Sequence, residues 1–128
     1  MLSSITEGVL VAVETEYHPE YSNPINNHYV FTYRIRIENQ SDYALRLLRR
    51  HWYIYDSIGN HYEVEGEGVV GQQPLILPNA HHTYVSGCHL KSDIGKMYGK
   101  YLMEREVDGV LFWVQIPEFA LITPIRFN

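Results

Sequence analysis

Apolar and polar residues alternate with a period of two along much of this 128-residue chain, and a helical period of 3.6 does not recur. The clearest run is Tyr29, Phe31, Tyr33, Ile35 and Ile37, interleaved with polar Thr32, Arg34, Arg36 and Glu38 and broken only by Val30. That pattern predicts a half-buried strand. Val9, Val11 and Val13 predict an earlier strand. Met97, Gly99, Tyr101 and Met103 predict a later one, and Val110, Phe112, Val114 and Ile116 the last. Turn-forming residues punctuate these runs at 19–27, 39–42, 57–60, Pro78-Asn79 and Asp108-Gly109. Asp-Gly between two alternating runs signals a hairpin. The alternation changes phase within residues 45–52, where Leu45 and Leu47 hold one parity and Leu48 and Trp52 the other. A β-bulge near residues 47–50 reconciles them.

Several short strands with turns between them and no helices predict an all-β, antiparallel β-sandwich, formed as one domain over residues 1–128. Trp52 falls on the third strand, where immunoglobulin-type sandwiches bury a tryptophan. Neither repeats nor a linker interrupt the chain.

Composition narrows the class further. Apolar residues at 45% suit a globular domain, and no apolar run approaches the ~20 residues that span a bilayer. Direct membrane insertion is therefore not expected. The first residues carry neither a basic segment nor a long apolar one, so no signal peptide is expected. A single cysteine, Cys88, excludes an intrachain disulfide and suits a cytoplasmic location. A net charge of −5 argues against non-specific nucleic-acid binding. Eleven tyrosines favour strands and half-buried positions.

Gly66, Gly68 and Gly71 spell G-x-G-x-x-G, the spacing of a dinucleotide-binding turn. That chemistry needs a helix after the loop, so that the pyrophosphate sits on its N-terminus. Pro74 and Pro78 forbid one. The segment is instead a glycine loop running into extended chain. Its amides could still form a nest for a phosphate, although Glu63, Glu65 and Glu67 oppose an anion there. A tight connection with glycines at positive φ is the alternative.

Arg34, Arg36, Arg46, Arg49 and Arg50 are five of the ten Lys and Arg residues, gathered within 17 positions. If the strands pair around the turn at 39–42, Arg36 falls roughly opposite Arg46. Like charges so opposed need an anion, an acidic partner or local carboxylates such as Glu14, Glu16 and Glu38. The candidate anion-binding set is thus Gly66, Gly68, Gly71, Arg34, Arg36 and Arg46. Among seven histidines, His61 shares a strand face with Glu63 and Glu65, and His81, His82 and His89 lie near Cys88. None has the spacing of a zinc site, so no metal ligand is assigned. Cys88 and His89 diverge on a strand, and no acid–base constellation or nucleophile turn occurs. No catalytic residue and no cofactor are expected.

An ordered set of motifs resembles the ApaG family over roughly residues 9–124. It runs through Tyr29-Val-Phe31 with Tyr33, Ile35 and Asn39, then Leu47-Leu48 with Arg50 and Trp52. Glu65-Gly-Glu-Gly-Val-Val-Gly71 follows, with Gln73-Pro74 and Pro78. Tyr84, Ser86-Gly87, Met97, Gly99, Tyr101 and Ile116-Pro117 with Phe119 complete it. Asn79 stands where the family usually has glycine, and His81-His82 lie outside the pattern. The resemblance implies a fibronectin type III-like sandwich, an association with cobalt resistance and magnesium efflux, and kinship with protein-binding domains of eukaryotic F-box and polymerase-interacting proteins. It also implies a pyrophosphate role for the glycine motif. The expected function is a non-enzymatic protein-interaction module with an unidentified partner. Aromatic contacts would come from Tyr53 or Tyr55, Tyr62 and Tyr84, and edge strands could pair with a peptide or a second copy as a homodimer. A binder of phosphate-containing small molecules and a divalent-metal accessory protein are the alternatives.

Overall fold

The computed structural model describes residues 2–124, which form two antiparallel sheets packed face to face. The first sheet contains β1 (Leu2–Thr6), β2 (Val9–Tyr17), β3 (Tyr29–Asn39) and β7 (His81–Leu90), side by side in that order. The second has the order β5 (His61–Glu67), β4 (Leu45–Asp56), β8 (Ile94–Arg105) and β9 (Leu111–Ile122). A short β6 (Leu75–Ile76) pairs with the start of β4. The alternation in the sequence maps onto this arrangement: Val9, Val11, Val13, Phe31, Ile35, Ile37, Met97, Tyr101 and Met103 are all buried between the sheets. Val110 does not join them. It lies in the hairpin loop before β9, 45% exposed, where the left-handed Gly109 (φ 72°) turns the chain.

Trp52 anchors the centre of the core. Its ring meets Tyr33 edge-on at 5.2 Å, Phe119 at 5.8 Å and Tyr101 at 6.5 Å, the T-shaped geometry that the ring quadrupoles favour. It faces inward because of the bulge that the leucine parity demands. The register between β4 and β8 shifts between Leu47 and Arg49, with Leu48 as the extra residue. Beyond it Trp52, Ile54 and Asp56 are buried, whereas before it Leu45 and Leu47 are. The two strands also approach closely downstream. A Cβ at Gly99 would lie 2.2 Å from the His51 carbonyl oxygen, so only glycine fits.

One sequence expectation fails. β3 and β4 do not form a hairpin around residues 39–42; the chain crosses there from the first sheet to the second. Arg36 is therefore opposite Ala12 and Thr83, and Arg46 lies opposite Leu75 and Glu104 in the other sheet. Buried Asn39 holds the crossing. Its side-chain amide donates to the Tyr43 carbonyl (2.7 Å) and to the Ile76 carbonyl (2.9 Å), tying β3 to β6 in the other sheet. Its Oδ1 accepts from the Ser41 amide at 3.0 Å and the Ser41 hydroxyl at 2.6 Å.

The sandwich is closed along one side and open along the other. On the closed side the Ser4 hydroxyl donates to the Gln115 carbonyl (3.1 Å) and the Gln115 amide to the Thr6 hydroxyl (3.2 Å), joining β1 to β9. On the open side, among the described residues, β7 pairs with β3 alone and β5 with β4 alone. Asn39→Ala removes the side-chain donor to the buried Ile76 carbonyl and one of two donors to the Tyr43 carbonyl, and should cost about 2 kcal/mol in urea denaturation. A loss below about 1 kcal/mol would show that the crossing is held by other means.

Candidate functional site

The glycine motif folds as a connection built on its own backbone. Val70 (φ 46°) and Gly71 (φ 76°) are the central residues of a two-residue turn. Val69 donates to the Gln72 carbonyl at 2.8 Å and Gln72 to the Val69 carbonyl at 3.0 Å. Two successive left-handed residues make this a type I′ hairpin, which explains the glycine at 71. Gly68 is left-handed as well (φ 62°), and a Cβ there would lie 2.1 Å from the Gln72 carbonyl oxygen. The loop rests on the β4 bulge: the Gly68 amide donates to the Leu48 carbonyl at 2.8 Å, and Gln73 Nε2 donates to the same oxygen at 2.9 Å. The amides of Gly68, Val69 and Gln72 are thus engaged with protein carbonyls rather than turned out as a nest.

The bulge also decides where the arginines go. Arg50 takes the inward parity of Trp52 and lies half-buried at the open side of the sandwich. Its Nη1 donates to the carbonyls of Glu67 (2.9 Å) and Gly68 (3.1 Å). A Cβ on Gly66 would sit 2.8 Å from the guanidinium, so this glycine makes room for the cation. Arg34 and Arg36 are on the outer face of the first sheet, where Arg34 pairs in register with Glu14 and Arg36 forms an ion pair with Glu38 at 3.1 Å. Arg46 bonds Glu106 at 2.7 Å and the Gln73 carbonyl at 2.9 Å. The structure therefore gathers Gly66, Gly68 and Gly71 around Arg50, places Arg34 and Arg36 together on the outer face of the first sheet, and keeps Arg46 apart from both on the second. Arg50 was not in the candidate set, although its shared parity with Trp52 was a signal that could have found it.

Glu63 and Glu65 are on the outer face of the second sheet, opposite Tyr53 and His51, rather than around the loop. His51 lies between them, with Nδ1 2.8 Å from Glu65 and Nε2 3.3 Å from Glu63. Nδ1 of His89 is 2.9 Å from Nε2 of His28. Among the described residues no group of three or more His, Cys, Asp or Glu side chains could hold a metal ion. Burial pushes the Cys88 thiol up to about 11, the opposite of what a nucleophile needs. Tyr84, expected as an exposed contact, is instead buried, with its hydroxyl bonded to that of Tyr101 across the sandwich. Burial raises both phenols.

The most developed surface feature is the outer face of β4 and β8. His51 stacks on Tyr53 at 4.5 Å, and Tyr53 stacks on Tyr98 at 5.1 Å with the planes 11° apart. His61 meets Tyr55 edge-on at 4.4 Å. The Lys96 ammonium sits 5.5 Å above the Tyr55 ring, and that of Lys100 4.6 Å above Trp113, which is 45% exposed. Glu63 and Glu65 border the rings on one side, and Lys96 and Lys100 on the other. The rings are held by cross-strand register, so they stand ordered before anything binds.

Gly71→Asn should stay within about 0.5 kcal/mol of the parent, since Asn tolerates the left-handed region, while Gly68→Ala should cost about 2 kcal/mol or more in chemical denaturation. Equal effects would rule out the turn described. Because the Cys88 thiol is held neutral by folding, the unfolded chain ionises first. Stability should be unaffected by thiol ionisation below about pH 8 and fall by roughly 2 kcal/mol as pH rises towards 11. Comparing the parent with Cys88→Ala in alkaline melts measures that slope, and parallel curves would refute it.

The sequence profile of the ApaG domain matches residues 19–105. Protein ApaG of Pseudomonas aeruginosa is 46% identical over 123 residues, covering 96% of this chain and 97% of its own. Protein ApaG of Sinorhizobium fredii is 45% identical over 124 residues, covering 97% and 95%. In three dimensions the chain is similar to the crystal structure of a Bordetella pertussis protein named ApaA, with a TM-score of 0.87 and 43% identity over 91% of this chain and 94% of that one. The motifs, the sandwich and these likenesses agree, and the chain belongs to the ApaG family.

Proposed function

We propose that this protein is a non-enzymatic, cytoplasmic binding module that recognises a protein partner through the outer face of its second sheet. The stacked row of His51, Tyr53 and Tyr98, with Trp113 nearby, carries this reading. Tyrosine and tryptophan are enriched at the centres of protein interfaces, where they bury much apolar area and keep a polar group available. Rings already fixed by stacking lose little freedom on association. Acidic Glu63 and Glu65 on one flank and basic Lys96 and Lys100 on the other would set a partner's orientation. A non-catalytic role draws support from the protonated Cys88 thiol and from the mutual hydrogen bond of Tyr84 and Tyr101. In this reading the link to cobalt resistance and magnesium efflux is exerted through the bound partner. Phosphate binding by the glycine loop draws less support, because Gly68, Val69 and Gln72 already donate their amides within the protein.

The test is capture of a partner by cross-linking in cells, followed by calorimetry on purified components. Tyr98→Ala and Trp113→Ala should each weaken the complex at least tenfold, about 1.4 kcal/mol, while leaving the melting temperature nearly unchanged. A partner that binds both variants as tightly as the parent excludes this face.

A further inference from the structure

A cleft separate from the aromatic face runs along the open side of the sandwich. Two adjoining cavities of about 350 and 290 Å³ lie between the unpaired edges of β5 and β7, and Tyr33, Arg50, Trp52 and Ser86 line both. Arg50 is the cation at their junction. Among the described residues, both of its hydrogen bonds leave from Nη1, to the carbonyls of Glu67 and Gly68, and no acceptor engages Nη2 or Nε. Among the described residues, no carboxylate is within ion-pair distance of it. Among the described residues no buried side-chain nitrogen lacks a partner, so Nε and Nη2 face the open cleft, where an acidic group can reach them. Here the planar edge formed by Nε and Nη2, the edge that grips a carboxylate with two parallel bonds, is vacant.

The two flanking edges are shaped around this cation. Gly66 on β5 has no side chain to cover it, and a Cβ there, 2.8 Å from the guanidinium, would displace the cation from this position. On β7 the inward-facing positions read Tyr84, Ser86, Cys88 and Leu90, so the smallest of them stands beside Arg50. Ser86 stands opposite Tyr33 in the register of β3 and β7, and among the described residues its hydroxyl does not cap the arginine. Apolar Val64, Val70 and Val85, all exposed, rim the opening. β7 meanwhile offers a free backbone edge along its ten residues, a template for an added strand.

We propose that this side binds an extended peptide segment that adds to the β7 edge and places an aspartate or glutamate opposite Ser86, where its carboxylate pairs with Arg50. The backbone edge supplies affinity, the valines receive apolar side chains next to the acid, and Arg50 supplies the sequence preference. This site is independent of the aromatic face, which lies on the other side of the second sheet.

Peptides selected from a random decapeptide phage library against the immobilised protein test the assignment. The selected peptides should share an acidic residue flanked by apolar ones. Titrated into the labelled protein, they should shift amide resonances of residues 64–68 and 84–88. Changing the acid to its amide should weaken binding at least tenfold. Arg50→Lys keeps a donor for the loop carbonyls but loses the planar edge, and should also weaken binding at least tenfold. Ser86→Asp supplies an internal carboxylate, and should abolish binding while the melting temperature holds or rises. Tyr98→Ala should change nothing, which separates failure here from failure of the aromatic face. Selection of no binders, selection without acid enrichment, shifts confined to the Tyr53–Tyr98 face, or tight binding of inorganic pyrophosphate that is indifferent to Ser86→Asp would each overturn it.

Discussion

The single inserted residue at Leu48 governs more of this molecule than any other local feature. A strand of β4's length has one parity unless something resets it, and an unbroken β4 would face Arg49, His51 and Tyr53 into the core. The bulge turns Trp52 inward to the aromatic cluster and releases His51 and Tyr53 to stack outside. It also aims Arg50 at the interior and leaves the Leu48 carbonyl free to receive Gly68 and Gln73. Core, outer face, glycine loop and inward cation are four results of one register shift.

The glycine loop shows how a motif can be shared while its mechanism is not. In a dinucleotide fold the glycines bring backbone amides to a pyrophosphate at a helix start. Here carbonyls of Glu67 and Gly68 turn inward to a protein cation, and the amides close a hairpin. The polarity of the loop is reversed. What decides it is Arg50, 17 and 18 positions away in the sequence from the carbonyls it binds and brought close by the pairing of β4 with β5.

Local features of the fold were legible in the sequence because they are set by neighbours. Alternation identifies β3 and β8, and leucine parity identifies the bulge; Asn79, at the family's glycine position, has a left-handed φ of 66°, which asparagine tolerates. Sheet membership was not legible. Nothing in residues 39–42 distinguishes a hairpin from a crossing, because the deciding bond runs from Asn39 to Ile76, distant in sequence. The misplacement of Arg36 against Arg46 followed from that single point. Tyr84 was taken for a surface residue for the same reason: its partner, Tyr101, belongs to the opposite sheet. The anion candidates were chosen by charge and spacing, whereas inward orientation is what distinguishes Arg50.

The placement of the two tryptophans gives the protein a pair of natural optical reporters. Trp52 is enclosed among Tyr33, Tyr101 and Phe119, whereas Trp113 stands in solvent beneath the Lys100 ammonium. Emission from the first is blue-shifted and shielded from dissolved quenchers, and emission from the second is red-shifted and open to them. Loss of the fold and coverage of the outer face therefore leave different spectral traces, and the unlabelled chain can distinguish an event in its interior from one on its surface.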